Sequence, residues 1–170
     1  MFKALFSAKG RMRRRDWWLW SIGLMLIFFL AGMLVHRLFG TQSVVEEIAS
    51  LGKEPLTPFQ GWVIFANTLG YWPYVCITAK RGHDRNRSAW LAVLWPCIGI
   101  PYFIMQHAQG LIDPAGWRFV AGAVQFLLSI ATIGVFIALV VDCGILDGTK
   151  GPNKYGPSPK GLGEQPEDVF

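Results

Sequence analysis

Lys80-Arg81-Gly82-His83-Asp84-Arg85-Asn86-Arg87-Ser88-Ala89-Trp90 lies between two apolar stretches and decides how the whole chain is read. Four Lys/Arg, one His and one Asp fall within it. Hydrocarbon gives charged groups no solvation, so a segment this polar between runs of spanning length must face water at one side of a bilayer. Its positive charge assigns that side to the cytoplasm.

Working outward, residues 59–79 upstream form an apolar run carrying Asn67, Thr68 and Tyr71-Trp72-Pro73-Tyr74. It reads as a transmembrane helix bent at Pro73, since neighbouring groups can satisfy the carbonyl that a proline frees. Downstream, residues 89–105 form another span, with Asn86 or Ser88 as its N-cap. Pro96, Gly99 and Pro101 interrupt it, which predicts a kinked or broken helix. Nearer the amino end, Asp16-Trp17-Trp18-Leu19-Trp20 opens an uncharged run that continues through Val35. At about 20 residues it is long enough to cross a bilayer, and it is read as an uncleaved first span over 17–36. The last apolar run, 118–141, stops at Asp142; its Gly134 and Ala138 make a small-xxx-small pair suited to close helix approach. Between spans, 44–51 has the pattern of a short amphipathic surface helix.

The predicted fold is therefore all-α, a single domain over 1–160 with four transmembrane helices and a polar cytoplasmic cap. From Asp147 to Pro159 the tail is too rich in Gly and Pro for helix or strand and reads as a string of turns. Residues 161–170 read as a disordered end.

Hydrophobic residues make up 52% of the 170 and charged ones 16%, with eight Trp, which exceeds what a soluble core of this size would hide. The net charge of +5 raises nucleic acid as a partner. The basic residues, however, cluster at hydrophobic borders rather than along a folded face, which argues for a bilayer and against nucleic acid. Cys76, Cys97 and Cys143 show no CxxC pair and no zinc spacing, so they read as small core residues. Charge also orients the chain. Six Lys/Arg precede Asp16, four lie in the central loop and three in the tail, against one (Lys53) in 40–58 and none in 106–116. Both termini and the central loop are thus expected in the cytoplasm.

Three separated stretches resemble a family of small bacterial inner-membrane proteins known as domain of unknown function 805. They are Gly10-Arg11-Met12-Arg13-Arg14-Arg15-Asp16-Trp17-Trp18, the Arg81-to-Trp90 loop and Gly148 to Pro159. The matching positions are Arg81, His83, Asp84, Ser88 and Trp90 in the loop, and Asn153, Tyr155, Gly156 and Pro157 in the tail. Two loop glycines of the family pattern are replaced here by Asn86 and Ala89. Asparagine tolerates left-handed backbone, so the turn at Asn86 is expected to survive. The resemblance implies the fold and the location but no activity.

This topology gathers the three motifs on one face, together with the amino ends of the first and third spans. Arg11, Arg14, Arg81, Arg85 and Arg87, with His83 and Asp84, form the candidate site for an anion such as a phospholipid head group. Against this stands a purely architectural reading, in which Asp84 and Asp16 pair with arginines and cap helices. Asn153, Tyr155 and Gly156 are expected to pack the tail back onto the central loop, with the Tyr155 ring on the helix ends and its hydroxyl toward Asp or Arg. Metal ligation by His83, Asp84, Asp142 and Asp147 is disfavoured for want of ligands, and no cofactor is implied. No nucleophile, base and orienting group stand together, so the chain is read as non-enzymatic. An accessory or scaffold role follows, with a membrane-protein partner or a homo-oligomer as associates. The alternative is a small transporter or channel subunit, suggested by the interrupted third span and by mid-membrane Asn67, Thr68 and Gln125.

Overall fold

The computed structural model describes residues 3–40, 43–49, 57–108 and 118–161. Its elements are α1 (Lys3–Phe6), α2 (Arg14–Phe39), α3 (Val44–Ala49), α4 (Pro58–Thr68), α5 (Tyr71–Asp84), α6 (Trp90–Ala108) and α7 (Arg118–Leu139). The last helix continues as a widened π-helical turn, Val140–Ile145. No β-strand forms among the described residues; an isolated bridge joins Asn153 and Gly156. Among the described residues two helices are long and apolar enough to cross a bilayer, Arg14–Phe39 with mean hydropathy 2.2 and Phe119–Ile145 with 2.5. The apolar part of α6, Trp90–Met105, is shorter.

The expected second span is two helices rather than one bent helix. Pro73 has no N–H for the Leu69 carbonyl, and its ring excludes a continuous helix through that carbonyl. The backbone turns at Leu69 and Gly70, whose N–H groups both reach the Phe65 carbonyl, at 3.0 and 3.1 Å. Gly70 is required there, because a Cβ would lie 2.4 Å from the Ala66 carbonyl oxygen. Pro73 then becomes the third residue of α5, where its N–H is not needed.

Of the kinked or broken helix expected for the third span, the break does not occur. Pro96 and Pro101 both sit inside an unbroken α6. Between them Gly99 leaves room for the Tyr71 hydroxyl, which would lie 2.9 Å from a Cβ at that position. Neither Asn86 nor Ser88 begins this helix, whose first residue is Trp90; Asn86 instead takes the left-handed backbone, with φ of 59°. Asp142 does not end the fourth helix either, for reasons found in its ion pairs below. Asn67 and Thr68 donate to the Val63 and Ile64 carbonyls of their own helix, both in i to i−4 fashion, instead of bonding across helices. At Gly134 a Cβ would meet nothing within 4 Å, so no helix among the described residues uses the small residue for close approach.

The chain divides into two compact units, one drawn from Met1–Gly23, Trp72–Trp95 and Val135–Phe170, the other from Leu24–Tyr71 and Pro96–Gly134. In the first, Met12, Trp17, Cys76, Ile77, Ala79 and Cys143 are buried around a polar centre. In the second, Trp62 packs against Phe28 and Phe65 with centroids 5.8 and 5.4 Å apart, and His36 meets Phe59 edge-on at 4.9 Å. There α4 starts on a reciprocal cap: Gln60 N–H donates to the Thr57 hydroxyl at 3.2 Å and Thr57 N–H to the Gln60 side chain at 3.1 Å. Ser43 and Glu46 make the same exchange at α3, the expected surface helix, and those bonds hold the Glu46 carboxyl below its ordinary pKa. Most of the expected disordered end, 162–170, lies outside the described residues.

Glycine substitutions test this packing. A Cβ on Gly32 would lie 2.8 Å from the Trp62 indole nitrogen, whereas one on Gly23 meets nothing. Gly32→Val should therefore lose about 1–3 kcal/mol through overpacking. Gly23→Ala should be neutral or gain up to about 1 kcal/mol in helix propensity. Thermal unfolding in detergent separates the two.

Candidate functional site

Arg81 and Asp84 are three residues apart on the last turn of α5 and so share one face. Asp84 is the centre of the site. One carboxylate oxygen accepts from Arg81 and the other from Arg11 Nε, at 3.0 Å. The side chains of Arg11, Arg81 and Asp84 are only 2%, 1% and 5% exposed. Arg11 spends its other N–H groups on the tail, donating to the carbonyls of Gly151 at 2.7 Å, Thr149 at 2.9 Å and Gly156 at 3.2 Å. The Asp84 backbone carbonyl in turn accepts from Thr149 N–H at 2.8 Å and from its hydroxyl at 2.9 Å. Amino-terminal arm, central loop and tail therefore meet on one carboxylate.

The widened turn after α7 supplies the rest. Helix ends leave carbonyls without backbone partners, and they carry partial negative charge. Here each carbonyl from Asp142 to Leu146 accepts from a side chain. Arg85 reaches that of Asp142 at 3.4 Å, and Arg81 Nε that of Cys143 at 2.8 Å. Trp18 reaches Gly144 at 3.0 Å and Arg14 reaches Ile145 at 2.7 Å, while the second nitrogen of Arg81 takes Leu146. The Asp142 carboxylate accepts from both Arg85 and Arg87, the latter at 2.9 Å. That pairing lets the helix run past Asp142 to Ile145. Burial draws the Arg81 guanidinium below its ordinary pKa while Asp84 pulls it back; for Arg85, burial and then its neighbours Arg87 and Arg81 act in the same lowering direction. Arginine starts so high that both stay charged.

Two glycines make this approach possible. A Cβ on Gly148 would lie 1.8 Å from an Asp84 carboxylate oxygen, and one on Gly144 would lie 2.7 Å from the Trp18 ring. In the tail, Tyr155 stacks on His83 with centroids 3.9 Å apart and planes at 11°. His83 Nδ1 lies 3.1 Å from the Gly10 carbonyl, so that nitrogen carries the proton it donates. Asn153 donates to the His83 carbonyl at 2.9 Å and Arg13 to that of Pro159.

The residues expected at the site thus converge, but their donors are spent inside the protein. Arg11, Arg81 and Asp84 form a buried triad, held by Asn153, Tyr155 and Gly156 through the tail. Arg85 and Arg87 join on Asp142, and Arg14 lies 3.6 Å from Asp147. Only Arg14 and Arg87 of the expected anion-binding arginines are about half exposed, at 48% and 58%. The Tyr155 anchor is ring-on-ring; among the described residues its hydroxyl reaches no Asp or Arg. The carboxylates considered for a metal are turned to arginines, and among the described residues no three His, Cys, Asp or Glu side chains converge on one point. Sequence reasoning missed Asp142 as a second acceptor, and also Thr149, Gly144 and the indole of Trp18. The signal for Asp142 was an acidic residue closing an apolar run in a chain with surplus arginine.

Asp84→Asn removes the charge shared by two buried guanidiniums and should cost about 3–5 kcal/mol. Asp142→Asn should cost less, because Arg87 can turn to water. Thermal unfolding of the two variants in the same detergent gives the comparison. The intact protein should resist trypsin at Lys150 and Lys154 while its tail is docked, and Tyr155→Ala should admit it at both.

A model of the family described as protein of unknown function (DUF805) matches residues 5–157. A protein of Escherichia coli strain K12 named Uncharacterized protein YiiR is 33% identical over 152 residues, covering 89% of this chain and 85% of that one. Another from the same strain, Inner membrane protein YhaH, is 26% identical over 160 residues, covering 94% and 93%. No solved structure matches the chain. The matched span holds the arginine-rich arm, the central loop and the tail through Pro157, so the chain belongs to the DUF805 family.

Proposed function

We propose that this is a non-enzymatic integral protein of the bacterial inner membrane, an accessory or scaffold whose cytoplasmic cap is held shut by arginine–aspartate clamps. The observation that carries the reading is the internal use of the polar cluster. Asp84 is matched by Arg11 and Arg81, one on each oxygen, and Asp142 holds Arg85 and Arg87 on one oxygen, so both carboxylates act as acceptors for arginine inside the cap. Catalytic acids and bases need a free lone pair or proton facing a substrate. Two helices of spanning length and a relative named as an inner membrane protein support the location. In this reading α4 and α5 together make one interrupted span and α6 another, giving four spans with both termini in the cytoplasm.

Transport remains the second reading, and the interruption at Leu69–Gly70 favours it, since discontinuous helices are common in transporters. Flux separates the two readings: a scaffold leaves proteoliposomes no leakier than empty vesicles, and protein-dependent solute uptake would replace it with the transporter. Recovery of a stoichiometric protein partner from native membranes would support the scaffold directly. Reporter fusions test the topology. Those after Lys53 and Asp113 should report as periplasmic, and those at Arg85 and Pro166 as cytoplasmic. A cytoplasmic signal at Lys53 would overturn the orientation.

A further inference from the structure

Apart from the buried Lys80, the described basic residues of the first unit divide by type. Every arginine there donates to a carboxylate or a carbonyl, or pairs with a neighbouring aspartate. Lys9, Lys150, Lys154 and Lys160 are exposed and form no ion pair among the described residues. Each of these lysines nonetheless adjoins backbone that the clamp holds. Lys9 precedes Gly10, whose carbonyl faces His83 Nδ1. Lys150 lies between Thr149 and Gly151, whose carbonyls both bind Arg11. Lys154 adjoins Tyr155, with its ammonium 5.0 Å from the ring centroid, and Lys160 follows Pro159, whose carbonyl binds Arg13. Their backbones are fixed, and their ammonium groups make no ion pair among the described residues, that of Lys154 lying over the Tyr155 ring.

We infer that these four lysines form a basic surface that engages the anionic phospholipid head groups of the leaflet from which the helices emerge. The inference rests on the membrane reading above and names the partner of its cap. Distance favours lipid over a soluble acidic protein as the partner. Arg14, the first residue of α2, binds the carbonyl of Ile145, the last residue of the other spanning helix. Lys9 and Lys150 are each five residues from those ends, at most about 18 Å along an extended chain. Anionic head groups are therefore always within reach, and attraction at such range survives partly within a Debye length of about 8 Å. Lysine suits this task. An ammonium is a hydrated point charge that can follow mobile head groups, whereas a guanidinium fork needs fixed geometry of the kind the clamp provides.

The test uses the full chain in nanodiscs of phosphatidylcholine mixed with phosphatidylglycerol, reading by native mass spectrometry which lipid stays bound. Phosphatidylglycerol should be enriched several-fold over its share of the mixture, and the enrichment should fall as sodium chloride is raised. Changing all four lysines to Gln should remove the enrichment while the melting temperature in pure phosphatidylcholine holds. Changing them to Arg should keep it, and so should Arg87→Lys. Inorganic phosphate should lower the enrichment no more than sodium chloride of equal ionic strength; a greater loss would mean a discrete phosphate site and overturn the inference. Enrichment that persists in the Gln variant, or vanishes in Arg87→Lys, would also overturn it. Should the Gln variant melt early, the salt titration of the natural chain decides: salt-independent enrichment refutes the lysine surface. Nanodiscs carry the anionic lipid in both leaflets, so a wrong orientation, read by the fusions, leaves this result untouched.

Discussion

One carboxylate organises the cap. Asp84 stands between Arg11 and Arg81 with almost no access to water, and three charged side chains in that position are tolerated only because every one is matched. The triad alone would leave a surplus positive charge. The surplus is met by carbonyls: those of the tail around Arg11, and those of the α7 end around Arg81. Partial charges thus complete what one aspartate leaves unbalanced. The consequence is mutual dependence, since arm, loop, helix end and tail each hold a group the others need.

The widened turn at Val140–Ile145 shows how a helix end is converted into a receptor for arginine. Ordinary helix ends leave about four carbonyls to water or caps. This one offers five in succession to Arg85, Arg81, Trp18 and Arg14, with Asp142 adding a full charge beside them. The helix dipole favours cations at that end, so geometry and electrostatics agree. Gly144 and Gly148 are the steric condition, because any side chain there would occupy the space of Trp18 or Asp84.

The two kinds of basic residue serve different physical ends. Arginine has several donors in a rigid plane and is held weakly by water, which fits it to bind carbonyls and carboxylates in the interior. Lysine keeps its hydration more tightly, and Lys9, Lys150, Lys154 and Lys160 lie exposed, whereas Lys80 is buried. A sum of charges along the sequence hides this division, because it counts both alike.

What the sequence by itself determined was the membrane character, the position of the polar loop and the convergence of three motifs. Each rests on composition or local pattern: long apolar runs around 17–36 and 118–141, charge at their borders, and Gly/Pro-rich turns from Asp147 onward. The docked tail was legible too, because an ordered run of turn residues ending in Tyr155 needs something to lie against. The prolines were misread, since their effect depends on neighbours. Pro73 breaks the helix where Gly70 permits a turn, while Pro96 and Pro101 stay within α6 beside a Tyr71 that packs on Gly99. Only the tertiary structure decided how the arginines are used. Asp84 and Asp142 are 58 residues apart, and nothing local tells which guanidinium each will hold or that carbonyls 142–146 will be free to accept. Charge can be counted along a chain; whether a charge is spent depends on what the fold brings within 3 Å of it.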